Sequence, residues 1–355
     1  MKKGLSILVS GIAIFGLTLS LSGVLVSQAA PSEKQQGPNR EVPKPIPATN
    51  IEIVKKVFSE DVGKGKGKPS PSPKTGSVAT GVLGAPATGN KYAVIIGICD
   101  YPGTNLDLCQ SDGDSLHMYK ALTELYGYES ENIWLFKDGG GLTGFKNSIG
   151  EYILAGIPTY GNISNAVMTI KSKAVNPDDE VVFFFSGHGT KGTAMDGDDE
   201  LTDEGIVVWN TEANNITYIW DGELRNWFDG FTTKRIAFIF DSCLAGGMND
   251  VASVGRVVSM ATGETQSAYV YSTAGEDVDG DGIKDGEGVF TRYFVNEGML
   301  QGLADVHDYV GVEGNEPATV EEAFDYAKAK ANTSSYLKVR QKPVISDNFF
   351  DDLLL

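Results

Sequence analysis

Cysteine is scarce in this chain: three in 355 residues, Cys99, Cys109 and Cys243. So few, and an odd number, exclude a disulfide-stapled scaffold and leave at least one thiol for other work. Cys99 and Cys109 flank one loop, where they either bridge or sit as two partly buried thiols. Positive charge is scarce too, with 29 Lys and Arg against 47 Asp and Glu and a net charge of −18. Without a basic stripe to meet a phosphate backbone, nucleic acid is excluded as the partner, and cations or basic substrates are favoured instead. Internal repeats are absent. Residues 31–90 are poor in apolar side chains, with GKGKGKPSPSPKTG as the extreme. Such a segment lacks the surface needed to order itself and reads as a flexible linker or pro-segment. Within it, NIEIVKKVF at 50–58 reads as a strand added to an edge or as a short helix.

What is present begins with a leader, residues 1–30: two lysines, a long apolar run and small residues before Pro31. This is the layout of a secretory signal, which places the rest of the chain outside the cytosol; left uncleaved, residues 5–26 would anchor it in a membrane. From Lys91 onward, apolar runs alternate with polar and amphipathic stretches. The runs at 92–98, 133–136, 181–185, 236–240 and 268–273 read as strands buried on both faces, with KPVISD near the end as a sixth. Helical patterns at 112–125 and 162–175 fall between them, and others at 288–300 and 319–330 follow. The expected fold is α/β: one domain over 91–355, with a mostly parallel sheet of about six strands and helices on both faces.

Two of the apolar runs end in reactive side chains. VVFFF leads into Ser186-Gly187-His188-Gly189, and IAFIF leads into Asp241-Ser242-Cys243. In open α/β sheets the carboxyl edge of the strands is where ligands bind. If these two strands are neighbours, the His188 imidazole and the Cys243 thiol come within reach as acid/base and nucleophile. The backbone N–H groups of Gly189 and Cys243 would then face the oxyanion of a tetrahedral intermediate. Taken singly, a cysteine after a strand is usually a small buried hydrophobe. Both residues at strand ends among glycines are a less ordinary pattern. A further segment, DVDGDGIKDGEG, sets Asp277, Asp279 and Asp281 at positions 1, 3 and 5 of a calcium loop, with Gly282 at 6 and Asp285 at 9. Gly288 stands where the closing glutamate belongs, and a solvated acidic loop is the alternative reading.

FFFSGHGT and IFDSCLAGG, in this order and with His188 and Cys243 55 residues apart, resemble the two catalytic blocks of the caspase-like cysteine peptidases, and most closely the metacaspase and orthocaspase branch. KYAVIIGICDYPGTNLDLCQSDGDSLHMYKAL resembles that family's first strand, loop and helix. MDGDDELTDEGIVVW is similar to its acidic segment, and GEGVFTRYFVNEGM to the helix opening its small-subunit half. Metacaspases commonly carry Cys-His-Ser-Gly, whereas Leu244-Ala245-Gly246 follows Cys243 here. The resemblance implies a caspase-like fold that hydrolyses peptide bonds, with Cys243 as nucleophile and His188 as acid/base. It also implies Ca2+ held near Asp203, together with Asp250, and a pocket of Asp112, Ser186 and Asp241 that takes Arg or Lys before the scissile bond. The expectation is a secreted, monomeric, calcium-assisted endopeptidase acting on peptides or proteins. Self-processing is expected in the linker, at Lys64, Lys66, Lys68 or Lys74, or in the loop around Arg256. Legumain-like and clostripain-like peptidases share the same His-Gly and Cys logic, and a non-catalytic calcium-binding module on a caspase-like fold is the rival from another class.

Overall fold

The computed structural model describes residues 26–28, 43–58, 77–103, 106–107, 112–137, 144–146, 152–197, 199–210, 215–271, 287–309 and 316–355. Six strands make the principal sheet: β1 Lys91–Gly97, β2 Ile133–Lys137, β3 Glu180–Ser186, β4 Arg235–Asp241, β5 Arg256–Met260 and β6 Val344–Asp347. Across the sheet they run β6-β5-β4-β3-β1-β2. β6 is antiparallel to β5, and the other neighbours are parallel.

Successive side chains of a strand point to opposite faces, so each central strand feeds two cores. Ala93, Ile95, Val182, Phe184, Ala237 and Ile239 face Leu116, Tyr119 and Leu122 of helix Asp112–Glu124 and Phe324 of helix Val320–Thr333. Val94, Ile96, Phe183, Phe185, Phe238 and Phe240 face Tyr160, Ile163 and Val167 of helix Tyr160–Lys173 and Trp227 and Phe228 of helix Asp221–Phe228. Covering both faces is what makes these strands read as unbroken apolar runs.

Register is pinned at the amino end of β3. Glu180 pairs with Lys91 of β1 on one side and Arg235 of β4 on the other. Its carboxylate accepts from Arg235 Nη2 at 2.9 Å and from the Tyr128 hydroxyl at 3.0 Å, with Lys91 Nζ at 3.6 Å. At the opposite end, the chain leaving β3 enters a four-stranded antiparallel sheet of Ile216–Trp220, Asp203–Trp209, Gly189–Ala194 and Ala48–Val54. A small sheet of Glu287–Gly288, Tyr269–Tyr271 and Val57–Phe58 stands beside it.

Three expectations need correction. The run at 268–273 is not a principal-sheet strand: Tyr269–Tyr271 belongs to the small sheet, and β5 takes the place beside β4. Arg256, expected in a cleavable loop, therefore opens a buried strand, and its guanidinium donates to the carbonyls of Val251 and Phe228 at 2.6 and 3.0 Å. Residues 43–58 and 77–90 are not a free linker, since they fold against the domain. The chain at 48–58 makes two strands, and Asp325 and Asp352 accept backbone N–H groups of 78–81. Among the described residues no helix is long and apolar enough to cross a membrane, and all of the leader but 26–28 lies outside them.

Glu180→Ala would strand Arg235 and uncouple the ends of three strands. Removing one partner of a buried ion pair costs roughly 3–5 kcal/mol. Urea unfolding should report a loss of that size, and a loss under 1 kcal/mol would reject the register role.

Candidate active site

β3 and β4 are adjacent and in register, with Ser186 opposite Asp241, so both chains leave the sheet at the same edge. Gly187 N–H donates to the Asp241 carbonyl at 3.3 Å, and two residues past the last pair come His188 and Cys243. The packing there is tight enough that a methyl on Gly189 would collide with the Cys243 carbonyl oxygen. Leu244, directly after the cysteine, is held at φ 59° and ψ 17°, a left-handed conformation that a branched side chain rarely adopts. Its N–H is tied to the Gln266 carbonyl at 2.9 Å, which fixes the sharp turn after the thiol.

Every polar atom of the His188 ring is engaged. Nε2 lies 2.6 Å from the Leu106 carbonyl, and Nδ1 accepts from the Lys56 backbone N–H at 3.2 Å. A carbonyl only accepts and an N–H only donates, so the proton of the neutral ring sits on Nε2 and the lone pair on Nδ1. Tyr101 stacks on the ring with centroids 5.0 Å apart, and its hydroxyl accepts the His188 backbone N–H at 2.9 Å. Burial lowers the His188 pKa to about 4. The Cys243 sulfur, 1% exposed with its residue, accepts from Ala268 N–H at 3.1 Å, and burial pushes the thiol up to about 11. As placed, both groups are neutral. The sequence reading singled out neither Leu106 nor Tyr101. A backbone carbonyl carries no residue signature, and the only trace of Tyr101 is an aromatic residue in the loop after β1.

Beside the pair lies a closed, charged pocket. Lys56 reaches in with its side chain fully buried, its Nζ 2.9 Å from Asp241 Oδ1, 2.9 Å from Ser186 Oγ and 4.0 Å from Asp114 Oδ2. Asp241 Oδ2 also accepts from Thr291 N–H and hydroxyl at 2.9 and 2.8 Å. Asp114 accepts from Ser186 Oγ and from Gly288 N–H, the latter at 3.0 Å. Burial holds the Asp114 carboxyl well above its ordinary range, with Lys56 pulling it back and Asp241 adding to the rise. Of the expected pocket residues, Ser186 and Asp241 meet here, while the side chain of Asp112 lies outside the described residues. Asp114, two positions further along the helix, is the second carboxylate of the pocket among the described residues.

A second cluster of carboxylates lies further along the chain that leaves His188. Asp196, Asp203 and Asp221 are buried with ligand atoms within 4.8 Å of one another, and Glu200 and Glu204 make a second such group with Asp221. Asp203 Oδ2 accepts from Ala194 N–H at 2.7 Å, while its Oδ1 has no hydrogen-bond partner among the described residues. Asp250 does not join Asp203: it pairs with Arg225 Nη1 at 2.8 Å, because the helix carrying Arg225 presents a cation first. Asp277, Asp279, Asp281 and Asp285 lie outside the described residues, as does Cys109, and Cys99 is buried.

Residues 91–252 match the family profile described as metacaspase, peptidase C14 domain. The chain is 34% identical over 163 residues to metacaspase-4 of Arabidopsis thaliana, covering 46% of this chain and 35% of that protein. It is 30% identical over 191 residues to metacaspase-1 of Cryptococcus neoformans, covering 53% and 35%. The chain thus spans about a third of the length of the curated relatives it matches. A solved structure of the Drosophila initiator caspase Dronc is similar over 85% of this chain and 97% of that one, at 12% identity and a TM-score of 0.42.

Gly189→Ala should cost about 3 kcal/mol in urea unfolding, since the new methyl meets backbone and not a yielding side chain. Gly263→Ala, whose methyl would find its nearest neighbour at an ordinary 3.4 Å, should change stability by less than about 0.5 kcal/mol. Equal stability of the two variants would reject the close approach of the chains leaving β3 and β4.

Proposed function

We propose that this chain, whose residues 91–252 form a metacaspase-type peptidase C14 domain, is a cysteine endopeptidase that hydrolyses peptide bonds after arginine or lysine. The observation that carries the reading is the lysine ammonium of Lys56 held by Asp241, Ser186 and Asp114 beside Cys243 and His188. Two buried carboxylates gain from a cation and repel an anion, so a basic side chain is bound and an aspartate rejected. In the reaction, His188 Nδ1 takes the Cys243 proton, and the thiolate attacks the carbonyl of the residue in the pocket. The same Nδ1 then protonates the leaving amine, and water hydrolyses the thioester. The Leu106 carbonyl orients the ring and supports it when charged. Backbone N–H groups of Gly189 and Cys243 stabilise the developing oxyanion.

Calcium fits the buried trio Asp196, Asp203 and Asp221: an all-oxygen donor set of three carboxylates, one with an unsatisfied oxygen, suits a hard divalent cation. Bound there, the ion would supply charge neutralisation and tie the strand following His188 to helix Asp221–Phe228. Export through the leader would bring the enzyme to extracellular calcium. Self-cleavage at Lys64, Lys66, Lys68 or Lys74 would leave residues 43–58 attached to the domain by non-covalent contacts alone.

Cys243→Ala and His188→Ala should each retain the fold and lose at least about 10³-fold in peptidase activity, and residual activity above a few per cent would sink the assignment. A fluorogenic panel with Arg, Lys, Asn and Asp before the scissile bond should rank Arg and Lys first. Preference for Asn or Asp would overturn the pocket reading.

Millimolar calcium should raise both activity and melting temperature, as ligand binding to the folded state requires. Asp203→Asn should remove most of the thermal shift. Melting curves that coincide with and without calcium would reject the metal.

A further inference from the structure

The segment that brings Lys56 to the pocket crosses the whole site. Ala48–Val54 pairs antiparallel with Gly189–Ala194, directly after the catalytic histidine, and Val57–Phe58 pairs parallel with Tyr269–Tyr271, beyond the cysteine. Occupying the pocket with a lysine makes the segment look like a substrate. The hydrogen bonds on either side of that lysine decide otherwise.

Hydrolysis after Lys56 would break the bond between its carbonyl carbon and Val57 N, and the leaving nitrogen must stand at His188 to receive a proton. Val57 N instead donates to the Ala268 carbonyl at 2.9 Å, on the side where Ala268 N–H meets the Cys243 sulfur. The nitrogen that faces His188 Nδ1, at 3.2 Å, is that of Lys56 itself. It belongs to the bond from Lys55, whose side chain is exposed and not in the pocket. Neither peptide bond flanking Lys56 therefore has both its carbonyl-side residue in the pocket and its nitrogen at the imidazole. A chain running the other way through the same pocket would have both. Reversal also turns parallel pairing with Tyr269–Tyr271 into antiparallel pairing, so a productive substrate adds to that strand in the opposite sense from the segment that now covers it.

We infer that residues 48–58 are a built-in inhibitory strap, bound with reversed chain direction so that Lys56 fills the specificity pocket without presenting a cleavable bond. The inference rests on reading the site as a peptidase for basic residues, and adds how that site is kept silent. The strap blocks in three ways. Lys56 Nζ takes the charges meant for the substrate, and Lys56 N–H occupies the lone pair that would accept the thiol proton. The main chain covers two strand edges. The neutral thiol and neutral imidazole of the covered site agree with this silence. The strap is also removable. Thr49 to Glu52, Lys55 and Val57 are exposed, the register slips between Thr49 and Glu52, and Lys56 is the one fully buried side chain among the described side chains of 48–58. Main-chain bonds and a single ionic anchor hold it, the profile of a locally low-stability element.

The test compares the full-length wild type with Lys56→Ala, and with Lys56→Met should the alanine variant fold poorly. Two quantities are measured. One is the initial hydrolysis rate of a fluorogenic peptide with arginine before the scissile bond. The other is the rate of Cys243 alkylation by iodoacetamide, read peptide by peptide by mass spectrometry so that Cys99 and Cys109 do not interfere. Without the anchor, both rates should rise about tenfold or more. Fragments ending at Lys56 should stay absent from the wild type during turnover. Equal alkylation of wild type and variant overturns the strap, whatever the hydrolysis shows. So does accumulation of a fragment ending at Lys56 as activity appears, because Lys56 is then an activating cleavage site. Faster alkylation with no hydrolysis by either protein keeps the strap and removes the peptidase reading. Hydrolysis by both at equal rates with equal alkylation does the reverse.

Discussion

The in-register parallel pairing of β3 with β4 is the constraint from which the site follows. It is set at the amino ends by Glu180 between Arg235 and Lys91, and it runs without slip to Ser186 opposite Asp241. Because a parallel pair carries both chains in one direction, the two exits fall at one edge, and the histidine and cysteine follow as the next reactive residues on each. A slip by one residue would turn Ser186 and Asp241 to opposite faces and dismantle the pocket as well as the pairing of His188 with Cys243.

Around that edge the protein concentrates features that cost stability elsewhere. Two carboxylates are buried together, a leucine is held left-handed, and a glycine is pressed against a carbonyl. Each is tolerable because neighbours over-determine it: Thr291 and Gly288 donate to the carboxylates, and Gln266 holds the turn. Lys56 supplies the charge that makes the covered pocket electrostatically closed. Removing that cation would push the Asp114 carboxyl further up, so an open pocket would take in a proton, water or a basic group. On the reading proposed above, the same electrostatics would serve both latency and specificity.

The acidic trio and the catalytic edge share one length of chain. Asp203 lies in the strand paired with Gly189–Ala194, and that strand begins beside His188. Ordering the carboxylates and ordering the imidazole's own strand are therefore linked events in this fold. This is the physical route by which a bound cation would reach the chemistry without touching it.

The amino-acid sequence by itself determined the strands buried on both faces, since a parallel sheet covered by helices demands unbroken apolar runs, and it determined which residues stand just past two of them. β5 was illegible because RVVSM is short and opens with arginine, and its place in the sheet comes from pairing with β4 and β6. The choice of Asp114 for the pocket was equally hidden. Only the packing of its helix brings Asp114 to Ser186. Lys56 was the least visible of all, one lysine of two in NIEIVKKVF, a stretch that reads equally as an edge strand or a short helix. Its burial, its partners and the direction in which its chain crosses the site depend on contacts more than a hundred residues away in sequence, and only the tertiary structure decides those.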